Sequence, residues 1–582
     1  MAGFAIRVGG AAGDGIASVG EVLSRSLARM GLHTFGFNAY QSVIRGGHVW
    51  FQARADRERV YSQGDGCDVL YALDKATADM HLSSIAAGGC VIHDPEKFAL
   101  PASEVPTGVT SLEVPTLEIA RKRTSQSILQ NAAGLGAAAF VAGIPLEVLQ
   151  TTLADSFGKK KGDIVEWNLG AAADGFAHAE QKASVNDHAV ARAGPGKLLM
   201  TGNHAIALGA AAAGCKFLAQ YPMTPASSIM HWMAAHARDL GVVVKQAEDE
   251  LAAINMAIGA SFGGVRSMTA TSGGGFCLMV EALGMAGMCE IPLVVVESQR
   301  SGPSTGLPTK TEQGDLNLML GAGQGEFPRA ILAPTHPADA YRATVEAFRL
   351  AEAWQTPILV ASDLHLSENF STVDPDEIDL HVDVPSLETV EPNGHEYKRY
   401  QYTPSGVSPR ALPGQPGLQW IAGSDEHDEK GHLISDVRSG VPIWVAERTK
   451  MMQKRMRKLD GLRADTAKPI REGPANAPLT VVAWGSTVGA VRDAQRILAA
   501  RGVAINIVYP PTVYPVDGPA THALLDGAGK VLLVEGNFSG QYGRLLRTET
   551  GIDLQEKLVK YDGEPFYPME IVGRALELVG HG

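Results

Sequence analysis

Apolar residues recur along this chain on two spacings, and the alternation between them outlines a fold. In "FAIRVGGAAGDGIASVGEVLSRSLARMG", residues 4 to 31, a short apolar run gives way to a glycine-rich turn. Beyond the turn, apolar positions 16, 19, 22, 23, 27 and 30 fall on one face of a helix. Strand, glycine turn and amphipathic helix in that order predict the opening of a Rossmann-like unit. The order returns in "VRSMTATSGGGFCLMVEALGMAGMCEIPLVVVESQ", followed by "RAILAP", the helix "PADAYRATVEAFRLAEAW" and the strand "TPILVASD". It returns again in "LTVVAWGSTVGAVRDAQRILAARGVAINIVY", which leads to "KVLLVEGN" and a terminal helix. Strands alternating with helices predict an α/β fold of parallel, doubly wound sheets.

At 582 residues the chain is long enough for about three such units. The Gly/Pro-containing stretch "AVARAGPGK" (189–197) marks the first boundary. The expected organisation is a Rossmann-like block at 1–190, a second α/β block at 195–371 and a third at 476–582. Between the last two, residues 372–475 are rich in Pro, Asp and His with few clear periods, and read as an irregular excursion.

Charge and cysteine content narrow the function. A net charge of −13 leaves no basic stripe for nucleic-acid phosphates, and the run Lys159 to Lys161 is too short to supply one. Cysteines 67, 90, 215, 277 and 289 are scattered without a CxxC pair, so they form no disulfide framework and no iron–sulfur cradle. Phe4 to Val8 reads as a strand rather than a leader, and no apolar run is long enough to span a bilayer. A cytoplasmic protein is the expectation.

Two stretches carry candidate chemistry. In "QYPMTPASSIM" (220–230), two prolines bracket Thr224 after a strand; each fixes its own φ and restricts the residue before it. In "EDELAAINMAIGASFGG" (248–264), Glu250 opens a helix whose face Ala252, Ala253, Ala257 and Gly259 would admit a flat ring or a second backbone. Glu248, Asp249 and Glu250 would also simply suit the positive end of a helix. Thiamine diphosphate chemistry uses such a glutamate: hydrogen-bonded to the aminopyrimidine ring nitrogen, it favours the tautomer that deprotonates the thiazolium carbon. The pattern E-L-x-A-A-x-x-A-x-G, seen in pyrimidine-binding domains of thiamine enzymes, has a close variant at Glu250 to Gly259.

"YPMTPASS", "EDELAAINMAIGAS", "MTATSGGGF" and "ESQRSGPSTGLPTKTEQGDL" occur in that order. Together they resemble the α subunit of 2-oxoacid:ferredoxin oxidoreductases. "GGAAGDGIASVGEVL" and "RGGHVWFQARADRERVYS" resemble the family's γ domain, here fused ahead of α, and the last block resembles its transketolase carboxyl-terminal-like domain. The resemblance implies that Glu250 contacts the pyrimidine nitrogen and that Thr224 and Arg300 are catalytic. Tyr221, Pro222, Ser272, Gly273 and Gly274 would join Glu250 and Thr224 at the cofactor. Arg300 would hold the substrate carboxylate, with Ser301, Gly302, Ser304 and Thr305 lining the pocket. An ion pair of Arg300 with Glu297 or Asp315 is the alternative. Lys310, or a residue of the β subunit, would meet the distal carboxylate of 2-oxoglutarate; pyruvate and branched-chain oxoacids are the competing substrates.

Gly13-Asp14-Gly15 and Gly64-Asp65-Gly66 lack the downstream Asn pair of a diphosphate–metal motif. Gly13, Asp14, Gly15, Arg45, Gly46 and Gly47 are candidates for coenzyme A, with a plain tight turn as the other reading. The chain therefore has half a cofactor site and no metal site of its own. The family places Mg2+ and a [4Fe-4S] cluster on the β subunit, in an (αβ)2 assembly that reduces ferredoxin. The cluster Asp425, Glu426, His427, Asp428, Glu429 and His432 has metal-ligand types, but an exposed acidic loop that docks against a neighbour is the commoner meaning of such a run. Two rivals are a nicotinamide-dependent dehydrogenase, for which Phe35 to Tyr40 offers no ribose-binding acid, and a non-catalytic scaffold.

Overall fold

The computed structural model describes residues 3–42, 46–124, 129–158, 163–385, 389–392, 394–434 and 443–580. Three sheets organise them. The first runs Thr110–Glu113, Ile85–His93, Cys67–Ala72, Phe4–Ala11, His48–Asp56, His33–Ala39, Phe370–Val373, Leu198–Thr201. Its opening follows the apolar pattern: Ile16, Val19, Val22, Leu23 and Leu27 of helix Ile16–Arg29 are buried against the sheet. The sheet departs from a pure Rossmann order at strand 48–56 and at strand 370–373, the latter antiparallel to both 33–39 and 198–201. Strand 48–56 inserts antiparallel between 4–11 and 33–39. The return between Ala39 and His48 is too short for a crossover helix, and so short a return permits only an antiparallel neighbour.

The second sheet runs Thr512–Tyr514, Ala330–Leu332, Pro357–Asp363, Leu293–Gln299, Ser267–Thr271, Phe217–Gln220, Val243–Gln246. All but Thr512–Tyr514 are parallel. Helices Glu250–Phe262, Gly273–Met288 and Pro337–Trp354 cover it. Strand 293–299 is buried along its whole length, as a parallel strand flanked on both faces must be. The third sheet runs Ile470–Glu472, Ile505–Tyr509, Leu479–Val482, Lys530–Glu535, Glu556–Val559, with only the first strand antiparallel.

The expected unit boundaries are crossed by strands. Phe370–Val373 joins the first sheet, and Thr512–Tyr514 joins the second. A buried ion pair, Arg54 to Asp493 at 2.6 Å, ties the first block to the third.

The segment 372–475 is not wholly irregular: it contains the helix Ile443–Asp465. The helix shows no apolar stripe because cations occupy the buried positions between Met451 and Leu462. Lys454, Lys458 and Arg455 are all buried, and the two lysine ammonium groups grip the carboxylate of Glu290, Lys458 at 2.5 Å. Arg399 adds a hydrogen bond to the Glu290 carbonyl at 2.8 Å. These cations hold the Glu290 carboxyl well below the usual carboxylate range, and burial depresses Lys454 to about 7. Glu290→Gln would leave two buried ammonium groups without their counter-charge, at a cost of about 3–5 kcal/mol. A thermal melt should register the loss. It should shrink above neutral pH, where Lys454 gives up its proton. In the native chain the sign is set by the carboxylate: its contribution is present above the unfolded carboxylate pKa and drains away as the pH falls through the folded one.

Candidate active site

Strand 217–220 ends at the "YPMTP" turn, which two buried amides hold from opposite sides. Gln220 Nε2 donates to the Ala226 carbonyl at 2.9 Å, and Asn203 Nδ2 to the Pro225 carbonyl at 2.6 Å. The Thr224–Pro225 peptide is cis, and Tyr221, Pro222 and Thr224 are half-buried. The Thr224 carbonyl accepts a bond from Arg300 Nη1 at 2.8 Å. The stiff turn therefore fixes both a hydroxyl and the carbonyl that orients the arginine.

The three acids that open helix 250–262 separate by role. Glu248 is exposed; Asp249 is the N-cap, accepting from Ala252 N at 2.7 Å; Glu250 is 2% exposed. Among the described residues no cation pairs with Glu250. Its Oε1 lies 3.5 Å from the hydroxyl of Thr271, at the end of strand 267–271. Burial, the larger influence, raises its pKa; the Thr271 bond opposes the rise. A buried carboxyl without a counter-charge is costly for a fold to keep.

The space around it is fixed by a glycine. A Cβ on Gly275 would fall 2.3 Å from Glu250 Oε1 and 2.1 Å from Thr271 Oγ1. Ser272, the residue before helix 273–288, is buried with its hydroxyl unpartnered among the described residues, Gly273 packs against Asp315, and Gly274 is exposed. The small-residue face divides: Ala253 and Ala257 are buried in the core, whereas Gly259 opens outwards with nothing within 4 Å of its Cβ position. The outward side of helices 250–262 and 273–288 also exposes Leu251 (45%), Met256 (39%) and Leu278 (45%).

Arg300 follows strand 293–299 and is half-buried. It forms an ion pair with neither Glu297 nor Asp315 among the described residues, although Asp315 acts on it through space. Beyond it the loop closes on itself: Ser301 N–H donates to the Lys310 carbonyl, Leu307 N–H to the Ser301 carbonyl, both at 3.0 Å. Ser301 Oγ donates to Glu312 at 2.7 Å, while Gly302, Ser304 and Thr305 are exposed. Lys310 is engaged in an ion pair with Glu564. Tyr40, from the first block, donates to Glu368 and lies near enough to Arg300 to act on its charge. Sequence reading missed Thr271, Gly275, Asn203 and Tyr40. The glycine run signalled Gly275, but no local spacing signals contacts made across so many residues.

The other candidates fall elsewhere. Gly13-Asp14-Gly15 forms a tight turn, with Gly13 and Gly15 at φ 102° and 78° and the Asp14 carboxylate accepting from Ala11 N. Gly46 and Gly47 adjoin it, Ala12 N–H donating to the Gly47 carbonyl at 3.0 Å; Arg45 and Lys159 to Lys161 lie outside the described residues. Asp65 of the second Gly-Asp-Gly accepts from Met569 N at 2.9 Å, a structural clip. In the 425–432 cluster Glu426 pairs with Arg455 and Arg448, Glu429 with Lys398, and Asp428 with His432. Among the described residues no group of His, Cys, Asp and Glu is arranged to hold a metal. Glu426, Asp428 and Glu429 are thus engaged by groups of the same chain. No described helix is long and apolar enough to cross a membrane.

The chain is similar to known proteins along nearly its whole length. Residues 208–442 match the family "Pyruvate flavodoxin/ferredoxin oxidoreductase, thiamine diP-bdg", residues 5–178 "Pyruvate ferredoxin/flavodoxin oxidoreductase" and residues 466–543 the transketolase C-terminal domain. Fold and site thus define a thiamine-diphosphate-binding oxidoreductase. A 2-oxoacid:ferredoxin oxidoreductase subunit alpha from Sulfolobus is 31% identical, covering 99% of this chain and 97% of the relative. The 2-oxoglutarate oxidoreductase subunit KorA of Mycobacterium tuberculosis is 30% identical over 97% and 90%. A solved 2-oxoglutarate:ferredoxin oxidoreductase from Magnetococcus marinus, with 2-oxoglutarate, coenzyme A and succinyl-CoA bound, superposes with a TM-score of 0.92 at 34% identity, covering both chains fully. The chain belongs to the 2-oxoacid:ferredoxin oxidoreductase family, as an α subunit.

Proposed function

We propose that this α subunit works with a β subunit as a coenzyme A-dependent 2-oxoglutarate:ferredoxin oxidoreductase. The reaction takes 2-oxoglutarate and coenzyme A to succinyl-CoA and CO2, passing two electrons one at a time to ferredoxin, and is reversible. The observation that carries the reading is Glu250: buried, without a cation among the described residues, and with its carboxyl seated where Gly275 lacks a side chain. Those features fit the aminopyrimidine half of thiamine diphosphate. When bound, that cofactor supplies the nucleophilic carbon and the electron sink of the reaction.

This chain's residues have the remaining tasks. Glu250 holds and moves a proton at the ring nitrogen. Tyr221, Pro222, Ser272, Gly273 and Gly274 border the same space. Thr224 presents its hydroxyl to the reacting end, and Arg300, aligned by the Thr224 carbonyl, offers its free N–H edge to the substrate's 1-carboxylate. Ser301, Gly302, Ser304 and Thr305 form the outer wall. Lys310 is already neutralised by Glu564, so a cation of the β subunit is the better candidate for the distal carboxylate.

The exposed apolar Leu251, Met256 and Leu278, beside the open Gly259 and Gly274, support a partner docked on this face. That partner would carry the diphosphate, its Mg2+ and a [4Fe-4S] cluster in an (αβ)2 complex, working with cytoplasmic ferredoxin. The turn at Gly13 to Gly15, with Gly46 and Gly47, remains our candidate for a coenzyme A contact. Reconstituted with its β subunit, the chain should support oxoacid- and coenzyme A-dependent reduction of a viologen dye. We expect kcat/KM for 2-oxoglutarate to exceed that for pyruvate by about tenfold or more. Equal turnover of pyruvate, 2-oxoglutarate and a branched-chain oxoacid would favour a broad 2-oxoacid enzyme instead.

A further inference from the structure

Two acidic side chains stand behind the glycine turn with no task in the reaction above. Glu297 lies in strand 293–299, paired in register with Thr271, whose hydroxyl reaches Glu250. It is 0% exposed, and among the described residues neither carboxyl oxygen meets an N–H or hydroxyl donor. What it meets is the carboxyl group of Asp315. Asp315 is held from the other side: its N–H donates to Gln299 Oε1 at 3.0 Å, and a Cβ on Gly273 would fall 2.3 Å from its Oδ2. Glu250 and Asp315 thus touch the same helix turn at Gly275 and Gly273.

Two ionised carboxylates face to face in a buried site repel and have no hydrogen to share. One proton between them turns the contact into a hydrogen bond. Among the described residues, the other groups that act on the pair include Asp363 from strand 357–363, Cys277 from helix 273–288, Glu312 from the loop before Asp315, and the cation Arg300.

We propose that Glu297 and Asp315 share a single proton and that the pair, acting through Arg300, is a positioning device that sets the pocket's affinity for the substrate carboxylate. The second half rests on the 2-oxoacid reading; the first does not. Burial pushes Glu297 well above the usual carboxylate range and Asp315 up to about 6, so one proton stays on the pair across neutral pH. Below about pH 6 a second proton removes the negative charge beside Arg300, and the arginine binds an anion more tightly. Loss of the first proton at alkaline pH has the opposite sign.

The test has two readouts. In the full chain at neutral pH, the infrared carbonyl band of a protonated carboxylic acid should be present and should disappear in Glu297→Gln. In the reconstituted complex, Asp315→Asn should lower KM for the oxoacid by about tenfold, with kcat changed far less, and should abolish the step in KM near pH 6. Glu297→Gln, whose amide supplies its hydrogen permanently, should lose the rise of KM at alkaline pH. A native chain without the band overturns the shared proton. An Asp315→Asn enzyme with native KM at every pH overturns the coupling to Arg300. A native complex inert towards every oxoacid would sink the proposed function and this coupling, and the infrared band would still judge the pair alone.

Discussion

Glu250→Gln should assemble with its partner subunit and lose oxoacid-dependent dye reduction by about 10²- to 10⁴-fold. The amide has the carboxyl's shape and can donate a hydrogen bond, but it cannot give up and regain a proton at the ring nitrogen. Stability should move the other way or not at all. Glu250 is buried with no cation among the described residues, and the Thr271 hydroxyl at 3.5 Å and its own backbone N–H offset little of that, so its carboxyl group is a burden on the fold. A neutral amide lightens it. Dye reduction measured alongside a thermal melt separates the readings: lost activity with an equal or higher melting temperature is the signature of a catalytic group. Activity within a few-fold of native would remove Glu250 from the mechanism.

Gly275→Ala is the second large effect. The added carbon would stand 2.3 Å from Glu250 Oε1 and 2.1 Å from Thr271 Oγ1, distances that no packed atoms tolerate. Both neighbours are side-chain tips, so the helix should survive and the tips should move. The tip that moves matters, because a displacement of about 1 Å at a catalytic group costs on the order of 10²-fold in rate. A folded complex with at least that loss is expected from kinetics and circular dichroism. Native turnover would mean that the Glu250 position is not critical.

The sequence revealed this site unevenly, and the reasons are physical. Glu250 was legible because a helix start, a cap and small residues lie within one short segment. Even there, which of Ala252, Ala253, Ala257 and Gly259 face outwards depended on packing between helices. The Arg300 loop was legible as a motif, yet the engagement of Lys310 by Glu564 spans 254 positions and leaves no local trace. Helix 443–465 was missed because periodicity registers apolar burial, whereas this helix buries lysines against a carboxylate on another element. Strand 48–56 was covered by a recognised motif, but its antiparallel insertion follows from the shortness of the return after residue 39. The face-to-face acids Glu297 and Asp315 were visible only as alternative partners for Arg300. Their actual relation, to each other, needed three dimensions.

Strand Phe370–Val373 lies between His33–Ala39 on one side and Leu198–Thr201 on the other. The polypeptide thus re-enters its first sheet after building most of the second. Lys197 and Arg59 both fasten to Asp374 just beyond that strand. Cutting the peptide anywhere in 189–197 would accordingly release neither portion, since each supplies an inner rung of the same ladder. Gene fission at that point would give two products with raw, complementary edges, and reassociation would be the only way for either to shield its own.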